Sequence, residues 1–240
     1  NEKDRNDFAQ IVFNKYLKET NNAVRKYSDT ATIFHNSGHV PKGDYRYINS
    51  NTHLELESLP TGGWGYDHFP LSAAYSRSLK NTEFLGMTGK FHHSWGEFGG
   101  FKHPNALIYE TSLSIANGAG CSIGDQMHPL GEMNMATYGL IGKAYSLVEE
   151  KEPWLNGAVN VADIAVLSQE ATTKNRDAKA DIGANRILLE NNLLYNFVDE
   201  KMDISGYKLL ILPDTAGMSD ETAEKINALE NEYARQRLES

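Results

Sequence analysis

Residues 53–66, with the sequence HLELESLPTGGWGY, alternate polar and apolar side chains before entering a loop of glycines and aromatic residues. Alternation with a period of two is typical of a β-strand, because successive side chains point to opposite faces. It places the two leucines on one face and His53, Glu55 and Glu57 on the other. Glu57 is nearest the carboxyl end of the predicted strand, and Trp64 follows in the loop. The alternative is an exposed strand with an ordinary polar face.

The segments on both sides of this stretch alternate between strand and helix patterns. β-Branched and aromatic runs predict strands, and apolar side chains at helical spacing predict helices. Strands are predicted at 30–38, 83–93 and 118–125, and helices at 6–27, 70–79, 104–116 and 135–150, the last of which stops at Pro153. This order indicates parallel β/α units, in which active sites lie at the carboxyl ends of the strands.

The chain changes character after Trp154, since neither tryptophan nor histidine follows it. Beyond this point strands are predicted at 161–168 and 203–214, and helices at 182–198 and 219–239, the latter with Ser219 as its N-cap. We therefore expect two domains, 1–156 and 157–240, and an α/β fold class for both.

The length of the chain limits how complete these domains are. A closed (β/α)₈ barrel needs about 250 residues, whereas the first domain holds four predicted strands. The second domain holds two, although sheets usually contain ~4–6 strands. The sequence therefore predicts half of a barrel and the start of a second α/β domain, as an interior piece of a longer polypeptide.

The composition excludes several classes of partner and cofactor. A net charge of −9 argues against nucleic acid as a partner, since phosphate binding needs clustered Lys and Arg. No apolar run approaches the ~18 residues of a membrane span. The single cysteine, Cys121, permits no internal disulfide and is expected to be a buried packing residue. Adjacent His92 and His93 would point to opposite faces of a strand, and the sequence contains no CxxC pair, so neither metal nor cofactor is predicted.

Residues 89–100 form a glycine-rich segment that carries His92, Trp95 and Glu97. An indole face suits the apolar side of a sugar ring. A carboxyl group beside aromatic side chains has its neutral form favoured, as a general acid requires. The alternative is a turn in which Trp95 is a hydrophobic plug and Glu97 is solvated.

Polar side chains also follow two other predicted strands. Asp125 and His128 come after the strand at 118–125, and Asn36 ends the strand at 30–38. They are candidates for binding sugar hydroxyls, and turn formation is the alternative role. Carboxylates, tryptophans and histidines at successive strand ends fit a glycoside hydrolase, which needs two carboxyl groups flanking the scissile bond.

Three long motifs carry a resemblance to a known family. Residues 53–79, 86–110 and 117–134 resemble the C-terminal half of the (β/α)₈ TIM barrel in the α-L-fucosidase-like glycoside hydrolases of family 151. ESLPTGGWGY is also similar to a segment of the family 29 α-L-fucosidases. Residues 161–214 resemble the trimerisation domain of family 42 β-galactosidases, a flavodoxin-like α/β domain akin to class I amidotransferases.

This resemblance implies a retaining exo-hydrolase acting on a terminal α-L-fucosyl or β-galactosyl group of a glycoside or oligosaccharide. It also implies a homo-oligomer formed through the C-terminal domain. The nucleophile would lie before residue 1, so that the 240 residues alone would have little activity. In family 29 the acid/base glutamate follows Trp-Gly-Tyr, whereas here the loop continues DHFPLSAAY without one.

Glu97 is therefore the first candidate for the acid/base and Glu57 the second. The substrate-binding candidates are His53, Glu55, Trp64, His92, Trp95, Asp125, His128 and Asn36. From a different class, the alternative function is a non-catalytic carbohydrate-binding or oligomerisation module. The expected compartment of this soluble protein stays open between the cytoplasm and, if a leader precedes residue 1, the periplasm or exterior.

Overall fold

The computed structural model describes residues 1–239, and side chains as far as residue 231; Ser240, which ends the predicted second domain, lies outside the described residues. The chain divides into two compact units. The first comprises Asn1–Val40 and Asp44–Asn160, and the second comprises Pro41–Gly43 and Val161–Ser240.

Helices and strands alternate along most of the chain. In order they are α1 (Glu2–Arg25), α2 (Tyr45–Ile48), β1 (Leu54–Glu57), a 3-10 turn (Pro60–Gly62), α3 (His68–Ser76), β2 (Phe84–Gly89), α4 (Pro104–Ala116), β3 (Gly120–Gly124), α5 (Met135–Leu155), β4 (Ile164–Leu167), α6 (Gln169–Thr173), α7 (Lys179–Glu190), β5 (Tyr195–Val198), β6 (Leu209–Ile211) and α8 (Asp220–Glu239). The protein is therefore mixed α/β.

The first unit is built around a parallel three-stranded sheet in the order β1-β2-β3. Leu54 of β1 is opposite Phe84 of β2. Leu54 and Leu56 are 0% and 2% exposed, whereas Glu55 and Glu57 are half-buried. Helix α3 packs on β1, and α4 packs on β2 and β3. The strand predicted from the alternation is confirmed.

Helix α4 begins and ends where the sequence predicts. Pro104 occupies its first turn, where a fixed φ favours the helix and a missing N–H costs nothing. The ring Nδ1 of His103 accepts a hydrogen bond from the Asn105 N–H at 3.2 Å. These two residues fix the start of the helix directly after the glycine-rich segment.

The strand predicted at 30–38 is wrong. The segment runs beside the start of β1, but side chains replace part of the strand ladder. The Ile33 N–H donates to Thr52 Oγ1 at 2.8 Å, and the His35 N–H donates to Asn51 Oδ1 at 2.7 Å. Its β-branched composition therefore gives an extended segment that forms no strand.

Helix α5 continues past the predicted stop and includes Pro153. A proline inside a helix removes one backbone hydrogen bond. In the last turn this loss is local, and the helix closes with the Asn156 N–H donating to the Glu152 carbonyl at 3.3 Å.

The second unit contains a parallel sheet in the order β5-β4-β6. The helix predicted at 182–198 is wrong beyond Glu190. Asn192 adopts a left-handed φ of 55°, and the chain then enters β5. All four residues of β5 are buried. A continuous apolar run suits either a buried strand or a buried helix, so periodicity alone does not separate them. The unit therefore has three strands where two were predicted.

Buried polar side chains hold the carboxyl end of β4. Asp181 accepts hydrogen bonds from Ser168 Oγ and from the Gln169 N–H, both at 2.7 Å. Lys42 Nζ lies 2.5 Å from Glu170 Oε2, and both side chains are 3% exposed. The start of α6 is thus fixed by groups that are shielded from water.

Two kinds of feature are absent from the described part of the chain. No helix in it is long and apolar enough to cross a membrane. No group of three or more His, Cys, Asp or Glu side chains in it is arranged to hold a metal ion.

Candidate active site

Glu57, Trp64 and Gly38 meet at the carboxyl end of β1. A Cβ atom added to Gly38 would lie 3.4 Å from the Trp64 ring and 4.0 Å from Glu57 Oε2. The Gly38 N–H donates to Asn36 Oδ1 at 2.9 Å, which shapes the turn that brings the glycine there. The edge of His68 contacts the Trp64 ring, with 4.9 Å between centroids. Glu57 and Trp64 therefore both lie beside Gly38, while Asn36 and His68 contact Gly38 and Trp64 respectively.

His53 and Glu55 pair on the same face of β1. His53 Nε2 lies 3.2 Å from Glu55 Oε1, and their side chains are 20% and 16% exposed. The Phe34 ring lies 5.7 Å from the His53 ring, between centroids. The carboxylate of Glu55 is thus already engaged, which leaves Glu57 as the strand carboxylate at the edge.

Glu97 bonds back to its own loop. Its Oε2 accepts the His93 N–H at 2.8 Å, and its Oε1 lies 3.2 Å from His93 Nδ1. These bonds, the backbone N–H first, lower the pKa of the Glu97 carboxyl below its ordinary value. The expectation that aromatic neighbours would favour its neutral form is therefore wrong for this arrangement, because donors rather than rings face the carboxylate.

Trp95 packs across the carboxyl ends of β2 and β3. A Cβ on Gly124 would overlap the indole, and a Cβ on Gly89 would lie 3.0 Å from it. The Phe91 ring meets the indole edge-on at 5.4 Å. Trp95 Nε1 is buried and has no hydrogen-bond partner among the described residues. This geometry favours the alternative interpretation, in which Trp95 is a hydrophobic plug.

A side chain from the loop after β3 bonds to the main chain of the loop that carries Glu97. With its amide oriented to donate, Gln126 bonds to the carbonyl oxygens of Glu97 and Gly96, at 2.8 and 3.2 Å. Asp125 Oδ1 accepts the Gln126 N–H at 2.8 Å, and His128 Nδ1 accepts the Leu130 N–H at 3.2 Å. Asp125 and His128 therefore make turn contacts, as the alternative for them predicted.

Two histidines of the first unit have clear local roles. His92 is exposed, and its ring contacts that of His93 at 4.0 Å. His35 is buried, with Nε2 2.7 Å from Asn21 Oδ1, and burial lowers its pKa. His35 therefore ties α1 to the segment beside β1, which is a structural role.

Sequence reasoning missed a buried ionic cluster at the base of the Glu97 loop. Lys102 Nζ lies 2.5 Å from Glu110 Oε2 and 3.0 Å from Thr88 Oγ1, and Thr88 Oγ1 donates to Glu110 Oε2 at 2.6 Å. The Lys102 N–H also donates to the Lys90 carbonyl at 2.7 Å, which closes the loop. One signal was present, because Glu110 occupies the buried face of α4 beside Thr111.

Lys90, the second lysine at the base of the Glu97 loop, is also buried. Its Nζ donates to the Gly100 carbonyl at 3.3 Å and lies 5.2 Å from the ring centroids of Phe91 and Phe101. Both ends of the loop are therefore held by cations that are shielded from water, one by a carboxylate and one by a carbonyl and two rings.

Comparison with solved structures identifies a class of protein whose members this chain resembles, the glycoside hydrolases. Alpha-L-fucosidase isoenzyme 2 from Paenibacillus thiaminolyticus is 53% identical over 92% of this chain and 34% of its own, with a TM-score of 0.87. The chain thus spans about a third of the length of that enzyme. Beta-galactosidase from the psychrophilic Marinomonas ef1 is 15% identical over 90% of this chain and 41% of its own, with a TM-score of 0.63, a likeness of fold alone.

Two other comparisons gave no match. No protein-family model matches the chain, and no curated protein matches it.

Proposed function

We propose that this chain belongs to a glycoside hydrolase that removes a terminal α-L-fucosyl group. The observation that carries the proposal is the 53% identity to an alpha-L-fucosidase over 92% of the chain. Because the chain covers 34% of that enzyme, activity and substrate are both part of the proposal. Terminal β-galactose is the second substrate to test, since the family 42 resemblance motivates it.

We further propose a setting for the two sheets. The three parallel strands of the first unit would belong to the C-terminal half of a (β/α)₈ barrel of the family 151 type. The second unit, with its parallel β5-β4-β6 order, would be a flavodoxin-like domain that resembles the family 42 trimerisation domain. A homo-oligomer through that domain is part of the same proposal.

We propose a different order for the two candidate acid/base residues. Glu57 lies on a strand, is half-buried, and lies beside Gly38, as does Trp64. Glu97 would have to break its bonds to His93 before protonating a leaving group. We therefore propose Glu57 as the acid/base and Trp64 as the ring that contacts the sugar, with Glu97 second. The remaining binding candidates around this edge are His53, Glu55, His92, Trp95, Asp125, His128 and Asn36.

The test uses two α-L-fucosides that differ in their leaving group. The variants are Glu57→Gln, Glu97→Gln and, as a matched exposed control, Glu132→Gln. A general acid contributes about 10²–10⁴-fold, and nitrophenolate leaves without protonation whereas a sugar hydroxyl does not. We expect Glu57→Gln to reduce cleavage of a fucosyl disaccharide at least a hundredfold and to affect the p-nitrophenyl fucoside far less.

Three results would contradict the proposal. Absence of fucoside cleavage by the folded protein would remove the activity, and sugar binding without turnover would favour the non-catalytic module. Equal, small effects of all three variants would remove the assignment of Glu57. A loss confined to Glu97→Gln would restore Glu97 as the acid/base.

A further inference from the structure

Two residues that each carry a buried side-chain oxygen without a partner among the described residues line one small cavity of the first unit. Ser58 Oγ and Glu110 Oε1 have no hydrogen-bond partner within the described residues, and the two residues are 3% and 6% exposed. Both residues line a cavity of about 20 Å³ between the β1–β2 pair and the helices α3 and α4. Tyr66 and Thr88 also line it.

The chemistry of these two oxygens defines what the cavity can hold. Lys102 Nζ is 2.5 Å from Oε2 of the Glu110 carboxylate, and the other carboxylate oxygen, Oε1, can only accept a hydrogen bond. Ser58 Oγ can donate or accept. Leaving a buried carboxylate oxygen unpaired incurs its full desolvation penalty. The occupant must therefore donate at least one hydrogen bond.

The size and charge of the cavity limit which molecule it can hold. One water molecule needs about 10–15 Å³, which the cavity provides. A cation is disfavoured because Lys102 already neutralises Glu110, and an apolar group satisfies neither oxygen. Tyr66, which also lines the cavity, has a raised pKa, caused first by burial and then by the negative charge of Glu110.

We propose that this cavity binds one ordered water molecule, which donates to Glu110 Oε1 and forms a second hydrogen bond with Ser58 Oγ. The water connects the end of β1 to Glu110. Through Lys102, Glu110 in turn holds the base of the loop that carries Glu97. This inference does not depend on the proposed function, since neither the cavity nor its partners need a substrate.

The test combines a crystal structure that resolves ordered water with two serine variants. Ser76 is the matched control, because its Oγ is equally buried and without a partner among the described residues but does not line this cavity. We expect one density peak within about 3.2 Å of both oxygens. Ser58→Ala should speed amide exchange at Lys102 and Glu110 about threefold or more, the loss of one water-mediated bond.

Ser76→Ala should leave those exchange rates unchanged. Two results would overturn the proposal: no density peak at the cavity in the wild-type structure, or equal exchange in the two variants. Since no readout involves a glycoside, a chain that holds the water and does not cleave fucosides contradicts the proposed function and leaves this inference supported.

Discussion

Glu97 accepts the main-chain N–H of His93 at 2.8 Å, and the His93 ring lies 3.2 Å from the other oxygen of the same carboxylate. The carboxylate is thus the anchor of a short turn inside the glycine-rich loop. Because hydrogen bonds to a carboxylate favour its charged form, this turn depends on Glu97 being ionised. Its behaviour with pH follows from that dependence.

We predict that the Glu97 carboxyl titrates below its ordinary range and that His93→Ala raises its pKa only in part. The ring contact is lost in that variant, whereas the stronger backbone N–H bond remains. His92→Ala is the control, because the ring of His92 is not bonded to Glu97, and it should leave the titration unchanged. The measurement is the side-chain carboxyl shift in an NMR pH titration.

The sign of the accompanying stability effect is fixed. A carboxyl whose pKa is lowered by folding stabilises the loop above its unfolded pKa, and this contribution is lost as the pH falls through the folded pKa. Protection of the loop amides, which is the intrinsic exchange rate at each pH divided by the observed rate, should therefore fall on acidification. Protection that falls on alkaline titration instead would contradict the assignment of Glu97 as the anchor.

The Lys102–Glu110 pair should be costly to break from one side. We predict that Lys102→Met destabilises the protein by about 3–5 kcal/mol, because it leaves Glu110 charged, buried and without its cation. Replacing both residues, in K102M/E110L, should recover much of this loss, since apolar residues can replace a buried ion pair at little cost. The measurement is the free energy of unfolding in urea.

Lys143→Met is the control for the ion-pair prediction. Lys143 is exposed, and its replacement should change the free energy of unfolding by no more than ~0.5 kcal/mol. A Lys102→Met variant as stable as this control would show that the ion pair does not support the fold.

Gly124 should be needed for the position of Trp95. We predict that Gly124→Ala displaces the indole, because a Cβ at this position overlaps the ring. The variant should shift the tryptophan emission and lower stability by about 1–3 kcal/mol, the usual cost of overpacking. Gly139→Ala is the control, since position 139 lies in a helix and faces open space. It should stabilise α5 by about 0.5–1 kcal/mol.

Cys121 should be unreactive in the folded chain. Burial raises the pKa of its thiol to about 11 from 9.0, so at pH 8 the thiolate is about 100-fold rarer than in the unfolded chain. Alkylation with iodoacetamide, followed by intact mass, should be slower by that factor than in urea. The same shift should reduce stability as the pH rises from 9.0 to about 11. Rapid labelling of the folded chain would contradict this.

The sequence predicted those elements in which local pattern and tertiary environment agree. Leu54 and Leu56 alternate with glutamates because one face of β1 is buried and the other is only half-buried, so the sequence pattern matches the environment. Pro104 marks the start of α4 for a purely local reason. At these positions, interactions between residues close in sequence decide the structure.

The errors arose where distant residues decide the structure. The segment at 30–38 is not a strand because Asn51 and Thr52, far along the chain, take its hydrogen bonds. The residues after Asn192 form β5 because they fill the interior of a sheet, which their apolar run alone does not reveal. Glu97 has a lowered pKa because the loop folds its carboxyl onto His93, and the ionic cluster at Lys102 needs the packing of α4 against β2.

Gly38 has a φ of 62°, a conformation that other residues adopt at a cost, and its missing Cβ leaves Trp64 and Glu57 uncovered. A methyl group there would be in van der Waals contact with the indole and next to the carboxylate. A side chain at this position would therefore combine backbone strain with added bulk beside the carboxylate. Glycine avoids both, so the surface next to Glu57 is bare backbone at this point.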